Sequence, residues 1–332
     1  MITDDCNIAV IGGGSFATAL IKILTENCER VGWWMRNEEA IAHILEHEHN
    51  PNYLSNVDLE VDRIDLTSDL NRIVRDYQTL VFAVPSAFLK ETLAKIDVPL
   101  RNKFMVSAIK GIVPDENLIV GEYFHQILEV PYESIAIISG PCHAEEVAME
   151  KLSYLTVSSL TPTLRQTLNK QLSTSYIKVV ESDDILGTEY AAVIKNIVAI
   201  ASGICHALGY GDNFQAVLVS NALLEMKRFM KSVYPIKREI TGSAYLGDLL
   251  VTAYSSFSRN RQFGHMIGKG YSVSSVKLEM NMVAEGYYAV DCIQKMNKFH
   301  DVKMPICNTV YKILYKGKSP AKKMKHLAKK LS

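Results

Sequence analysis

Residues 9–20 read AVIGGGSFATAL. The run leading into the glycines, CNIAVI at residues 6–11, is short, apolar and β-branched, the pattern of a strand buried on both faces. Beyond them Phe16, Leu20, Ile23 and Leu24 recur at helical spacing, which predicts a helix over residues 15–24. Between strand and helix lies Gly12-x-Gly14-x-x-Ala17, the spacing of a dinucleotide-binding turn. Gly12 permits the tight turn, Gly14 lets a pyrophosphate approach the backbone, and Ala17 lets the helix lie close on the strand. The first N–H groups of the helix then face the phosphates. A plain flexible turn is the competing reading. The strand–turn–helix context favours the nucleotide.

Outward from this turn, strand and helix alternate. Strands are predicted at residues 28–35, 79–84, 103–108 and 134–138, with 154–158 and 177–180 as extensions; helices fall at 38–46 and 87–96. Such alternation predicts an α/β, Rossmann-type doubly wound parallel sheet. After about residue 184 long helical patterns take over, at 186–208, 215–233, 246–254, 276–282 and 287–297. The expected division is a dinucleotide-binding domain over 1–185 and an all-helical substrate-binding domain over 186–332. Ligands of such proteins are expected between domains, at the carboxyl ends of the strands.

The 332 residues carry 36 Lys and Arg against 36 Asp and Glu, so no net charge argues for a nucleic-acid partner. Hydrophobic residues make up 48%, enough for substantial cores. No stretch reads as long and pure enough to span a bilayer, and the acidic start MITDDCN is not a signal peptide. The basic tail, residues 315–332, is expected to be a solvated, lysine-rich last helix rather than a lipid contact. Six scattered cysteines, with no C-x-x-C pair and no Cys/His ligand cluster, indicate neither a metal site nor a disulfide framework. Reduced thiols in the cytoplasm are expected.

Several residues are costly where they stand. In YAAVIKNIVAIASGI, residues 190–204, Lys195 and Asn196 sit in a helix that is apolar nearly all round. An ammonium there loses solvation and its pKa falls toward the range useful for proton transfer, unless the side chain snorkels to solvent. Asp248 and Thr252 are four apart and share a helical face, and Asp248 is placed to pair with Lys195. The segment SRNR, residues 258–261, offers guanidinium groups suited to phosphate, one of its two arginines being an ordinary surface residue. Lys110 follows a predicted strand at its C-terminal end. ISGPCHAEEVA, residues 138–148, passes from a strand through Gly-Pro into a helix whose amides suit an anion or ribose. Cys142 and His143 lack a third orienting group, which disfavours a nucleophile. Arg36, after the second strand, suits a 2′-phosphate and so tilts the expectation toward NADP over NAD.

Taken together, GGGSFATAL, VFAVPS, KGI, ISGPCHAEE, VIKNIVAIASG, YLGDLL, SRNRQFG, VAEGY and MPI, in this order along nearly the whole chain, resemble the bacterial-type NAD(P)-dependent glycerol-3-phosphate dehydrogenases. The resemblance implies that Gly12, Gly14, Ser15, Phe16, Ala17 and Arg36 hold the nucleotide, with Ala144, Val283 and Glu285. Lys110 would touch cofactor and substrate. Gly140 and Cys142 would line the substrate pocket. Lys195 would be the proton donor and acceptor, with Asn196 and Thr252 completing its polar network. Asp248, Ser258, Arg259 and Asn260 would bind glycerol phosphate, Arg259 also reaching the nucleotide. A homodimer, a small phosphorylated three-carbon substrate and a role in phospholipid synthesis are implied in the same way. The chain departs from the pattern at Cys142 and His143, at the alanine of YAAVIKN and at Tyr245. A thiol at Cys142 is a poorer donor than a hydroxyl. The rival expectations are a related dehydrogenase such as a ketopantoate reductase, and a non-catalytic nucleotide sensor. The SRNR segment argues against the first. Lys110, Lys195 and Asp248 together argue against the second.

Overall fold

The computed structural model describes residues 6–280 and 284–332. Val283 therefore lies outside the described residues. The chain forms two compact units, Met1–Ile109 with Val120–Ile185, and Lys110–Ile119 with Leu186–Ser332. The single cut expected near residue 185 thus misses an earlier excursion. Lys110–Ile119, assigned by sequence to the first domain, packs with the second unit.

The strands are β1 (Ile8–Ile11), β2 (Val31–Trp34), β3 (Ile64–Thr67), β4 (Thr79–Phe82), β5 (Phe104–Ser107), β6 (Ile112–Val113), β7 (Leu118–Ile119), β8 (Ile135–Ser139), β9 (Ser153–Ser159) and β10 (Ile177–Ser182). Among the described residues, eight of them make one sheet in the first unit, ordered β10-β9-β8-β5-β4-β1-β2-β3. β6 and β7 pair antiparallel as a hairpin in the second unit. From β3 through β8 the neighbours run parallel, in the order a doubly wound sheet requires. β1, β2 and β8 are buried at every position, as strands covered on both faces must be.

Two features correct the all-parallel expectation. β9 pairs antiparallel with β8, and β10 runs parallel to β9, so this end of the sheet is reversed. The link from β8 to β9 holds only the helix Ala144–Ala148. Five residues of helix rise about 7.5 Å, too little to return the chain along a strand of about 16 Å. β3 was not expected at all. IDLT carries Asp65 and lies half-exposed at the sheet edge, so it shows little apolar signal.

The cysteine expectation also changes. Cys6 and Cys28 form a disulfide, with Cα atoms 5.5 Å apart. Cys6 precedes β1 and Cys28 precedes β2, and parallel pairing of these neighbours brings the starts of the two strands together despite a separation of 22 residues. Cys142, Cys205, Cys292 and Cys307 are free and buried.

In the second unit the helix Ile185–Ala207 is the axis of the core. Tyr190, Val193, Ile194, Ile197, Ala201 and Ile204 all pack into it. By length and composition this helix is apolar enough to cross a membrane, contrary to the sequence expectation, but 89% of its apolar window is buried by its neighbours. Around it lie Asp212–Val233, Asp248–Tyr254, Arg259–Gly268, Glu285–His300, Pro305–Lys316 and Pro320–Ala328. The last is the lysine-rich helix of the tail, and it buries Met324 and Leu327 in the same core.

Candidate active site

The glycine turn of the first unit is fixed by its carbonyls. Gly12 has φ of +140°, and a Cβ there would come within 2.7 Å of the Ala83 carbonyl oxygen, so both backbone and neighbour demand glycine. The indole Nε1 of Trp33, on β2, donates to Gly12 O at 2.7 Å. Asn50, fully buried, donates through Nδ2 to Gly13 O at 3.3 Å and to Thr18 Oγ1 at 2.9 Å. Thr18 in turn donates to Gly14 O from its amide at 2.9 Å and its hydroxyl at 3.1 Å. Three consecutive carbonyls are thus tied inward. The opposite side of the turn, which leads into the Ser15–Asn27 helix, is where first-turn amides point.

Gly14 provides the test of fit for a nucleotide. Its φ of −84° and ψ of −179° suit any residue, and a Cβ there would meet no atom within 4 Å. The fold itself does not require glycine at this position. A bare backbone facing open space fits a pyrophosphate that comes up to it. Ala17 is fully buried under the turn, Ser15 is buried and Phe16 half-buried. Arg36, just past β2, is exposed.

In the second unit Lys195 is 4% exposed, so the snorkelling alternative does not hold. Its Nζ is ion-paired with Asp248 Oδ1. Burial pushes the amine down to about 7, opposed by the Asp248 charge and helped by the positive Lys110. Asp248 is 1% exposed, and its Oδ2 has no hydrogen-bond partner among the described residues. Thr252 Oγ1 lies 3.5 Å from Asp248 Oδ1, one turn along the same helix. That helix is preceded by a π-turn, Ser243–Gly247, where a regular helix was expected from residue 246. Such turns re-aim the residue that follows, here Asp248. Tyr245 within it is buried.

Glycines bring the remaining groups close. A Cβ at Gly203 would stand 2.0 Å from Arg261 O, and one at Gly264 would stand 2.1 Å from Ile200 O. The Arg259–Gly268 helix therefore crosses the Ile185–Ala207 helix in backbone contact. Ser258 caps the former, accepting from the Arg261 amide at 3.3 Å. Asn260 Oδ1 accepts from the Gly286 amide at 2.9 Å, and Gly286 lies against the Asn196 carbonyl. Asn196 Nδ2 donates to Lys110 O at 2.8 Å, holding the start of the Lys110–Ile119 excursion. Lys110, Lys195, Asn196, Asp248, Thr252, Ser258, Arg259, Asn260 and Glu285 all belong to this one unit.

Gly140, Cys142 and Ala144 follow β8 in the first unit. Gly140 has φ of +102°, and a Cβ there would be 2.9 Å from the Tyr154 carbonyl oxygen. Cys142 and Ala144 are buried. Trp33 and Asn50 were not anticipated from the sequence. Neither belongs to the glycine spacing, and each reaches the turn only through folding.

A glycine turn of this kind on a doubly wound sheet, with a buried lysine–aspartate pair in a helical unit, is the equipment of a nucleotide-dependent oxidoreductase. Residues 7–164 match the N-terminal model, and residues 184–325 the C-terminal model, of NAD-dependent glycerol-3-phosphate dehydrogenase. The chain is 33% identical over 311 residues to the glycerol-3-phosphate dehydrogenase (NAD(P)+) of Staphylococcus carnosus, covering 93% of each. It is 35% identical over 315 residues to that of Bacillus licheniformis, covering 93% of this chain and 90% of the relative. The crystal structure of a glycerol-3-phosphate dehydrogenase from Coxiella burnetii superposes with a TM-score of 0.89 at 29% identity, covering 98% and 99%. The protein belongs to the NAD-dependent glycerol-3-phosphate dehydrogenase family. A 2-dehydropantoate 2-reductase from Methylococcus capsulatus, at TM-score 0.60 and 10% identity over 92% of this chain and 94% of that one, shares the fold alone.

Proposed function

We propose that this chain interconverts dihydroxyacetone phosphate and sn-glycerol 3-phosphate with NAD(H) or NADP(H). The observation that carries the reading is the Lys195–Asp248 pair, an amine buried at 4% exposure whose pKa lies near 7. A nicotinamide nucleotide held at the Gly12–Ala17 turn would supply the hydride chemistry at the carbonyl carbon. Lys195, as the ammonium, gives a proton to the oxygen that becomes the alcohol, and its neutral amine accepts one in reverse. Asp248 orients Lys195 and keeps the ammonium accessible despite burial. Lys110 adds positive charge beside the developing alkoxide. Asn196 acts on the reaction through Lys110, because its amide holds the Lys110 carbonyl.

Arg259 and the amide nitrogen of Asn260 anchor the phosphate, with Ser258 fixing the helix start that presents them. Thr252 steadies Asp248. Binding energy at the phosphate then aligns the carbonyl at the other end of the substrate. Gly140 and Cys142 line the substrate side of the first unit. Gly12, Gly14, Ser15, Phe16, Ala17, Arg36, Ala144, Val283 and Glu285 belong to the nucleotide. Exposed Arg36 suits the 2′-phosphate of NADP. A homodimer, a cytoplasmic location and supply of glycerol phosphate to phospholipid synthesis follow from the same family reading. Four free, buried thiols suit a reducing compartment, whereas the Cys6–Cys28 disulfide runs against one.

The test is absorbance at the nicotinamide band. NADH or NADPH is expected to be oxidised with dihydroxyacetone phosphate and not with ketopantoate. Oxidation with ketopantoate alone would reassign the substrate, and no oxidation with either would favour a sensor.

A further inference from the structure

We propose that the outer face of the helix Pro320–Ala328 is a docking surface for an anionic lipid bilayer, held by charge and without insertion. Charge is segregated along this chain. Residues 302–332 hold nine lysines and no Asp, Glu or Arg. The 36 basic and 36 acidic residues balance over the whole chain, so residues 1–301 carry 27 basic against 36 acidic ones. The zero net charge therefore conceals a strongly cationic end on an anionic body.

The fold turns that segment into a surface. Met324 and Leu327 anchor one side of the helix in the core of the second unit. Lys322, Lys325 and Lys329 are spaced by three and four residues, so they share the opposite side, and all three are exposed. Lys316 and Lys318 are exposed too, on either side of Gly317, whose φ of +57° turns the chain from the helix Pro305–Lys316 into the last one. Exposed lysines elsewhere are paired, Lys22 with Glu150, Lys95 with Glu91 and Lys295 with Asp291. Among the described residues none of the five lysines of this surface is ion-paired. A solvated helix explains their exposure but not their separation from every acid.

The chemistry of the face favours a bilayer. Lysine is a hydrated point charge, suited to diffuse negative charge, whereas a defined phosphate or carboxylate is better held by the arginine fork that this segment lacks. No Phe, Tyr or Trp follows Tyr315, so the face offers no ring on which bases stack. Apolar side chains stand beside it. Asn221 Nδ2 donates to Ser332 O at 2.8 Å, and Val217 and Leu224, on the same face of the helix Asp212–Val233, are 38% and 48% exposed. Cationic residues beside shallow apolar contacts suit a headgroup layer.

The experiment is co-sedimentation of the full-length, untagged protein with vesicles at low salt. It reads binding and not turnover, so it stands apart from the proposed reaction. Binding is expected to vesicles of equal parts phosphatidylglycerol and phosphatidylcholine, and not to phosphatidylcholine alone. It should be lost near 1 M salt, where screening shortens to about 3 Å. Each lysine near such a surface is worth about fivefold in affinity, so Lys322→Gln, Lys325→Gln and Lys329→Gln together should weaken binding at least about tenfold. Lys151→Gln, Lys170→Gln and Lys178→Gln together, an equal loss of exposed charge from the first unit, should leave it unchanged. Matching circular dichroism melts keep loss of fold apart from loss of docking. No binding to the anionic vesicles, equal weakening by the two triple variants, or tighter binding to a short duplex DNA than to the vesicles would each overturn the proposal.

Discussion

The glycine turn of the first unit works through main-chain atoms, whereas the Lys195–Asp248 centre of the second works through ionisable side chains. At the turn, Trp33, Asn50 and Thr18 hold three carbonyls, and the bare backbone at Gly14 faces open space. Around Lys195 the cost is electrostatic, since a cation and an anion are both removed from water. Geometry without charge suffices to cradle a ligand whose own charge is fixed. Moving a proton needs a group whose charge can change, and burial is what brings a lysine near neutrality. Disturbing the turn should therefore change binding, and disturbing the pair should change turnover.

The largest expected effect falls on the second centre. Lys195→Met should lower kcat for reduction of dihydroxyacetone phosphate by about 10²–10⁴ while nucleotide still binds, measured by steady-state kinetics and nucleotide titration. Turnover near the wild-type value would remove the assigned proton donor. Next come two alanines in the turn. Gly14→Ala should leave the melting temperature unchanged yet raise the nucleotide KM by about tenfold or more. Gly12→Ala should lower the melting temperature as well, because its Cβ meets the Ala83 carbonyl at 2.7 Å. Equal behaviour of the two would contradict a bare backbone kept for the ligand alone. The smallest effect belongs to Trp33→Phe. Loss of one hydrogen bond to Gly12 O, about 1 kcal/mol, should raise the nucleotide KM about fivefold with kcat intact. A matching fall in kcat would show that the turn does more than bind.

What the sequence revealed and what it hid divide along the range of the interactions. The turn at Gly12–Gly14 and the helix after it are local, so spacing alone disclosed them. Lys195 is conspicuous because its neighbours along the helix are apolar, and Asp248 because it shares a helical face with Thr252, four residues on. The reversal of β9 and β10 depends on how short a helix joins β8 to β9, and apolar runs carry no direction. β3 is four residues long with an acid in the middle, and it pairs only at an edge. The excursion Lys110–Ile119 is a hairpin of two-residue strands, below the length at which alternation can be read. The Cys6–Cys28 bond and the Asn50 brace each join residues that are distant along the chain. The parallel register of β1 on β2 brings the two cysteines together.

The central claim is that burial sets the Lys195 amine near neutrality so that one group serves both directions. The direct measurement is the pH dependence of kcat in each direction with the wild-type protein. Reduction needs the ammonium, so its rate should fall as pH rises through about 7, and oxidation needs the neutral amine, so its rate should fall as pH drops below about 7. Profiles that are flat across that region in both directions, or that break only near the ordinary lysine value of 10.5, would contradict it.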